Sequence, residues 1–332
     1  MPNSFRLVGD LGGTNARFAL VEQQSAIPRE IAEVRCSDHE SLTPAIRYYL
    51  NSKGNPELSE AVIAAGTPIV GDYLKMTNNH WAFSQSEVTA AFHLDNLQFI
   101  NDFTAQALSL PLLGECDVAN IGSGKCVRRG PKAVLGPGTG LGVSGLIPSA
   151  NGGWAPLQGE GGHVTVVPGT DREAAIIDWM AQTLTDSSGH VSAERLLSGP
   201  GLCLLYQSVH AIDNHAIPDR SAAEISNSAI NGSDPRAIEA LDIFCRQLGA
   251  VAGDLALTLG ATGGVYIAGG MVPRMLDYVA ASQFRTAFES KGRMSKYLSP
   301  IATLAVTRRN PALLGAASLL SDRERDRQTN QR

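Results

Sequence analysis

The sequence predicts a mixed α/β protein with room for two lobes, and three observations predict it. Two strand–turn–strand hairpins of one form, each with glycine and threonine at the turn, lie widely separated at residues 5–21 and 133–147. Apolar runs of strand length alternate with helical stripes, the pattern of a mixed sheet covered by helices. A long apolar stripe at 236–259 stops at glycine and leads into a buried run at 265–268. At 332 residues the chain exceeds what one ordinary core needs.

In chain order, the run 5–8 is followed by Asp10, the turn Gly12-Gly13-Thr14, and a second run at 16–21. Glycine lets backbone N–H groups approach a phosphate closely. An aspartate at a strand end can hold magnesium together with phosphate oxygens. Taken alone, the same turn reads equally well as a structural hairpin. Leu42, Ile46, Tyr49 and Leu50 form a helical stripe after Ser41, a plausible N-cap. Strands follow at 61–65 and 97–100, with a short helix at 86–92 between them. The second of these strands runs into Asn101-Asp102, where a helix begins. Ligands of open α/β sheets gather at strand C-terminal ends. Asp102 is therefore open to two readings, a base for a hydroxyl proton or a cap of the following helix.

The second lobe begins near 111–114. It contains the turn Gly138-Thr139-Gly140, helices at 172–185 and 192–197, and the stripe Ile238, Leu241, Phe244, Cys245, Leu248, Val251, Ala252, Leu255 and Leu259. After the run 265–268 stand Gly269-Gly270, readable as a helix-entry turn. Glu160 and His163 lie three apart among glycines, a poor scaffold for a helical metal pair. Glu194 reads as part of a helix cap or a surface ion pair. The closing residues 321–332 are charged and polar, the composition of a disordered tail.

Several function classes are excluded. Neither Gly136 nor Gly138 starts a dinucleotide fingerprint, because Leu141 or Val143 stands where the third glycine belongs. Gly124-Lys125 is followed by Cys126, so there is no P-loop. A net charge of −5 argues against a nucleic-acid or anionic-membrane partner. Five scattered cysteines without metal-ligand spacing read as reduced thiols. With a strand so near the start and no long apolar run, the expectation is a cytoplasmic protein without a signal peptide.

Eight segments in order, at 7–20, 76–83, 100–105, 135–146, 159–164, 191–201, 264–274 and 310–315, make the chain resemble the bacterial glucokinases, within the sugar-kinase, actin and heat-shock-chaperone ATPase superfamily. The resemblance implies a two-lobed actin-like ATPase (ribonuclease H-like) α/β fold with a nucleotide and sugar cleft between lobes. It divides the chain into a small lobe, 1–112 plus 303–321, a large lobe, 113–302, and a tail, 322–332. It implies transfer of the γ-phosphoryl group of MgATP to the C6 hydroxyl of glucose, the first step of glycolysis. Asp102 is then the base, and Asn101, Asp102, Glu160, His163 and Glu194 surround glucose. A neutral, hydroxyl-rich ligand needs such paired donors and acceptors. Gly12, Gly13, Thr14, Gly138, Thr139 and Gly140 face the ATP phosphates, Gly269 and Gly270 the adenosine, and Asp10 the Mg2+, directly or through water.

Asn78 and His80 match on the sugar side, but within Asn-Asn-His-Trp where the family has nearer Asn-His-Thr-Trp, so their individual roles stay open. Trp81 reads also as core packing. Wider relatives carry a cysteine-rich zinc motif after the equivalent histidine. Here Val164-Thr165-Val166-Val167 follows, so no structural zinc is expected. The resemblance also implies a homodimer. A kinase for mannose or glucosamine and a non-metabolic actin-like ATPase are the alternatives. A sugar-responsive repressor is disfavoured, because such relatives need a helix-turn-helix before the first hairpin.

Overall fold

The computed structural model describes residues 5–23, 25–150, 152–185 and 188–330. Contacts divide the chain into two compact units, Met1–Leu113 with Arg308–Arg332, and Gly114–Thr307.

The first unit opens with an antiparallel meander, β1 (Phe5–Leu11), β2 (Asn15–Val21) and β3 (Arg29–Arg35). β4 (Leu58–Ala65) pairs parallel to β1, β5 (Tyr73–Lys75) and β6 (Ala82–Ser84) form a separate ribbon, and β7 (Asn96–Asn101) pairs parallel to β4. The sheet order is β3-β2-β1-β4-β7. β1 and β4 are apolar almost throughout because both faces are covered, as parallel strands require. Helix α1 (Leu42–Asn51) buries the stripe read from its periodicity, although the Ser41 side chain makes no cap bond. α2 (Gln85–Ala91) is capped by Ser84, and α3 (Asp102–Ser109) starts directly at the end of β7.

The second unit carries β8 (Val118–Asn120), β9 (Lys132–Pro137), β10 (Leu141–Pro148), β11 (Trp154–Leu157), β12 (Val265–Ile267) and β13 (Thr303–Val306), in the order β11-β10-β9-β12-β13-β8. β9, β10 and β11 form an antiparallel meander, and β12 and β13 run parallel to β9. β11-β10-β9-β12-β13 thus has the order and directions of β3-β2-β1-β4-β7. The two glycine hairpins, alike only locally in sequence, occupy equivalent places in two sheets of one topology. β13 lies between β12 and β8. Residues 303–306 therefore belong to this sheet, and the division falls after Thr307 rather than before 303.

Around this sheet stand α4 (Asp171–Thr183), α5 (Ala193–Leu196), α6 (Gly199–Ile212), α7 (Ala222–Ile230), α8 (Pro235–Leu259), α9 (Leu276–Ala281), α10 (Phe284–Glu289) and α11 (Ser295–Leu298). α8 is capped by Asp234 and ended by left-handed Gly260. Its buried residues differ in part from the large-residue stripe. Ala237, Ala240, Gly249, Gly253 and Ala256 are buried, while Ile238, Val251, Leu255 and Leu259 are only partly so. The reason is that α6, α7 and α10 all pack on it. Gly249 and Gly253 admit the α10 backbone, since a Cβ on either would press on the carbonyl of Phe284 or Phe288. In the first unit, α12 (Pro311–Asn330) packs on α3, with Gly315 against Ala105. It extends into the stretch read as a tail; residues 331–332 lie outside the described residues. No helix among the described residues is long and apolar enough to cross a membrane.

Candidate functional site

In the first unit, the β1–β2 turn closes with Gly12 N–H donating to Asn15 O at 3.0 Å. Neither Gly12 nor Gly13 has positive φ. Glycine is needed for close approach instead: a Cβ at Gly13 would sit 3.0 Å from both Cβ and O of Asn78. Asn79 holds this turn. Its Nδ2 donates to Gly12 O at 3.0 Å and its Oδ1 accepts from Trp81 N at 2.8 Å, while Cys36 Sγ reaches the same Gly12 oxygen at 3.6 Å. Trp81 is fully buried and donates through Nε1 to Cys36 O and His39 O, so it packs the core. His80 is exposed and bonds His39 O through its ring; Asn78 is exposed beside Gly13.

Asp10 lies on β1 in register with Arg17, whose guanidinium is 3.8 Å away and bonds Glu33 more closely at 2.8 Å. Burial, and after it the charge of Asp102, pushes the Asp10 carboxyl up to about 6 against the opposing pull of Arg17. Asp102 is the first residue of α3, and its Oδ1 accepts from Phe103 N at 2.9 Å. Asn101 is the cap: its Oδ1 accepts from Phe103 N and Thr104 N at 2.9 and 3.1 Å, and among the described residues its amide nitrogen makes no hydrogen bond. Gly66, just beyond β4, makes room for Asp102, since a Cβ there would lie 3.1 Å from Oδ2. A divalent cation beside Asp10 would offset both the burial and the Asp102 charge that raise it. Asp10 is thus the residue that fits Mg2+, with Asp102 left to act on the hydroxyl.

In the second unit, the β9–β10 turn closes with Gly138 N–H donating to Gly140 O at 2.8 Å, and Gly138 O accepts from Gly199 N at 2.8 Å. Glu194, in the first turn of α5, accepts the Leu141 N–H at 2.9 Å. It is not part of the cap, which Ser192 supplies to Arg195 N. Glu160 and His163 flank a single turn, with His163 N–H donating to Glu160 O at 3.0 Å. Both are exposed. Gly161 and Gly162 between them lie flat on β10, because a Cβ at either would press on Val143 or on Leu141 O. Ala193 N–H donates to Val164 O at 2.8 Å, joining α5 to the same turn. Leu141 is therefore the meeting point of Glu194 with the Glu160–His163 turn. Gly269 follows β12 with φ of +80° and rests against Gly136 and Pro137 at the base of the hairpin; Gly270 faces open space.

Sequence reasoning missed Asn79 and Gly66. The only signal for Gly66 was a glycine closing an apolar strand, Ala64-Ala65-Gly66.

A family model described as Glucokinase matches residues 7–323. A glucokinase of Neisseria gonorrhoeae is 47% identical over 318 residues, which cover 96% of this chain and 95% of that protein. A solved structure of a glucokinase from an Antarctic psychrotroph superposes with a TM-score of 0.85 at 36% identity, covering 96% of this chain and 99% of the other. A ROK family glucokinase from Streptomyces griseus, solved with glucose and AMPPNP, shares the fold at a TM-score of 0.64 and 17% identity, over 95% of this chain and 99% of the other.

Proposed function

The chain belongs to the glucokinase family and is an ATP-dependent glucose kinase, and on that footing we propose how its own residues act. The γ-phosphoryl group passes to the C6 hydroxyl of D-glucose, giving glucose 6-phosphate and ADP as the first step of glycolysis. Asp102 orients that hydroxyl and accepts its proton. Position supplies much of its value, because an ordinary carboxylate is a weak base. Asn101, Asp102, Glu160, His163 and Glu194 bind glucose. Gly12, Gly13, Thr14, Gly138, Thr139 and Gly140 face the phosphates, with Gly12 and Gly138 closing the turns through their own N–H groups and the other four offering N–H and hydroxyl donors, and Gly269 and Gly270 border the adenosine. Asp10 would hold Mg2+, directly or through water, and the cation would supply charge neutralisation for the transferring phosphates. The enzyme works in the cytoplasm as a homodimer.

The observation that carries this reading is the place of Asp102, at the C-terminal end of a parallel strand and within the electrostatic reach of Asp10. A panel of glucose, mannose and glucosamine with MgATP, followed by phosphorus NMR, tests it. Glucose 6-phosphate as the fastest product is expected. Faster transfer to mannose or glucosamine, or transfer to another hydroxyl, overturns the substrate assignment.

A further inference from the structure

Glu194 touches the nucleotide-side turn directly. Its Oε2 accepts the Leu141 N–H at 2.9 Å, and Leu141 is the residue after Gly140. The same oxygen lies against Gly140, where an added Cβ would collide with it and stand 3.1 Å from Cδ. The turn itself is tied to the start of α6 through Gly199 N–H and Gly138 O. Among the described residues, Oε1 of Glu194 makes no hydrogen bond. The carboxylate thus has one oxygen on the hairpin and one to offer a ligand.

We infer that Glu194 is a positioning residue for the nucleotide as well as a sugar ligand, so that the hold of the second hairpin on phosphate depends on whether sugar is bound. The inference rests on the assignment of glucose to Glu194 and of phosphate to Gly138, Thr139 and Gly140 made above. Two physical effects act in the same direction. A glutamate turns about three side-chain bonds, and one backbone contact leaves much of that freedom in place. A glucose hydroxyl donating to Oε1 fixes the side chain, and with it Leu141, before phosphate arrives, so less freedom is lost when the nucleotide binds. A bare carboxylate beside a phosphate turn also repels the nucleotide, and hydroxyl donation draws part of its charge away from the turn. By linkage, nucleotide must tighten glucose by the factor that glucose tightens nucleotide.

The test is calorimetric titration of Mg–AMPPNP with and without glucose, held at about ten times each variant's own Kd for the sugar. In the wild type, glucose is expected to tighten AMPPNP by about 5-fold or more. In Glu194→Ala that ratio is expected to fall to within about 2-fold of one, and in Glu194→Gln, whose amide oxygen still accepts, to an intermediate value. Gly140→Ala displaces the carboxylate from the hairpin but leaves it available to sugar. It is expected to lose the ratio while its glucose Kd without nucleotide stays within about 3-fold of wild type. A purely structural role for Glu194 would not separate those two readouts. Should Glu194→Ala fail to fold, the other two variants decide. A wild type that phosphorylates glucose with a ratio of one, or a Gly140→Ala protein that keeps the full ratio, overturns the inference alone. A wild type that phosphorylates no sugar overturns the proposed function, and the inference falls with it.

Discussion

Asp10 near the end of β1 and Asp102 just past the end of β7 lie at the same edge of one sheet with β4 between them, and burial together with the charge of Asp102 holds the Asp10 carboxyl at about 6. Because this folded value lies above the ordinary 3.8, ionising Asp10 weakens the fold. Its contribution to stability is full below about 3.8 and is lost as pH rises through about 6. Asp10→Asn is therefore expected to stabilise the Mg2+-free protein by about 1–3 kcal/mol at pH 8 and hardly at all near pH 4. Urea unfolding at the two pH values checks this, and an equal difference at both contradicts it. Affinity for Mg–AMPPNP should also fall below about pH 6, where the cation must displace a proton.

Gly66→Ala addresses the room around the proposed base. A Cβ 3.1 Å from Oδ2 forces the Asp102 carboxyl to shift by a few tenths of an ångström. A drop of about 10-fold in kcat is expected, with KM for ATP changed little. Steady-state kinetics checks it; an unchanged kcat shows that Asp102 tolerates the displacement.

Asn79→Ala removes the amide that holds Gly12 O and leaves that oxygen to Cys36. The first hairpin loosens without any loss of a proposed ligand. KM for ATP is expected to rise about 3- to 10-fold, with kcat within about 3-fold of wild type. A change in KM for glucose alone would place the role of Asn79 elsewhere.

Gly249→Ala tests the packing of α8. On a solvated helix face this change stabilises by about 1 kcal/mol. Here the new Cβ meets Phe284 O of α10, so a loss of about 1–3 kcal/mol is expected instead. Thermal or urea unfolding gives the sign directly.

What the sequence made legible, and what it did not, follows from range. Both glycine hairpins and α8 are read locally, from turn chemistry and from a period of 3.6. The burial of α8 was read less well, because periodicity registers large side chains, whereas α10 seats on Gly249 and Gly253, which carry no hydrophobic signal. β8 and β13 are too short to show alternation and exist only through pairing with distant partners. Asn79 meets Gly12 across 67 residues, so its part in the hairpin appears only once the chain has folded. Resemblance alone pointed to Glu194, as an expected sugar ligand, and its bond to Leu141, 53 residues away, left no trace in the sequence.

The central claim is that Asp102 takes the proton from the sugar hydroxyl. The most direct measurement is kcat for glucose 6-phosphate formation by Asp102→Asn, with Kd for Mg–AMPPNP measured on the same preparation. The account predicts a fall in kcat of about 10²–10⁴ while nucleotide binding stays within about 10-fold of wild type. A variant that turns glucose over at nearly the wild-type rate contradicts it.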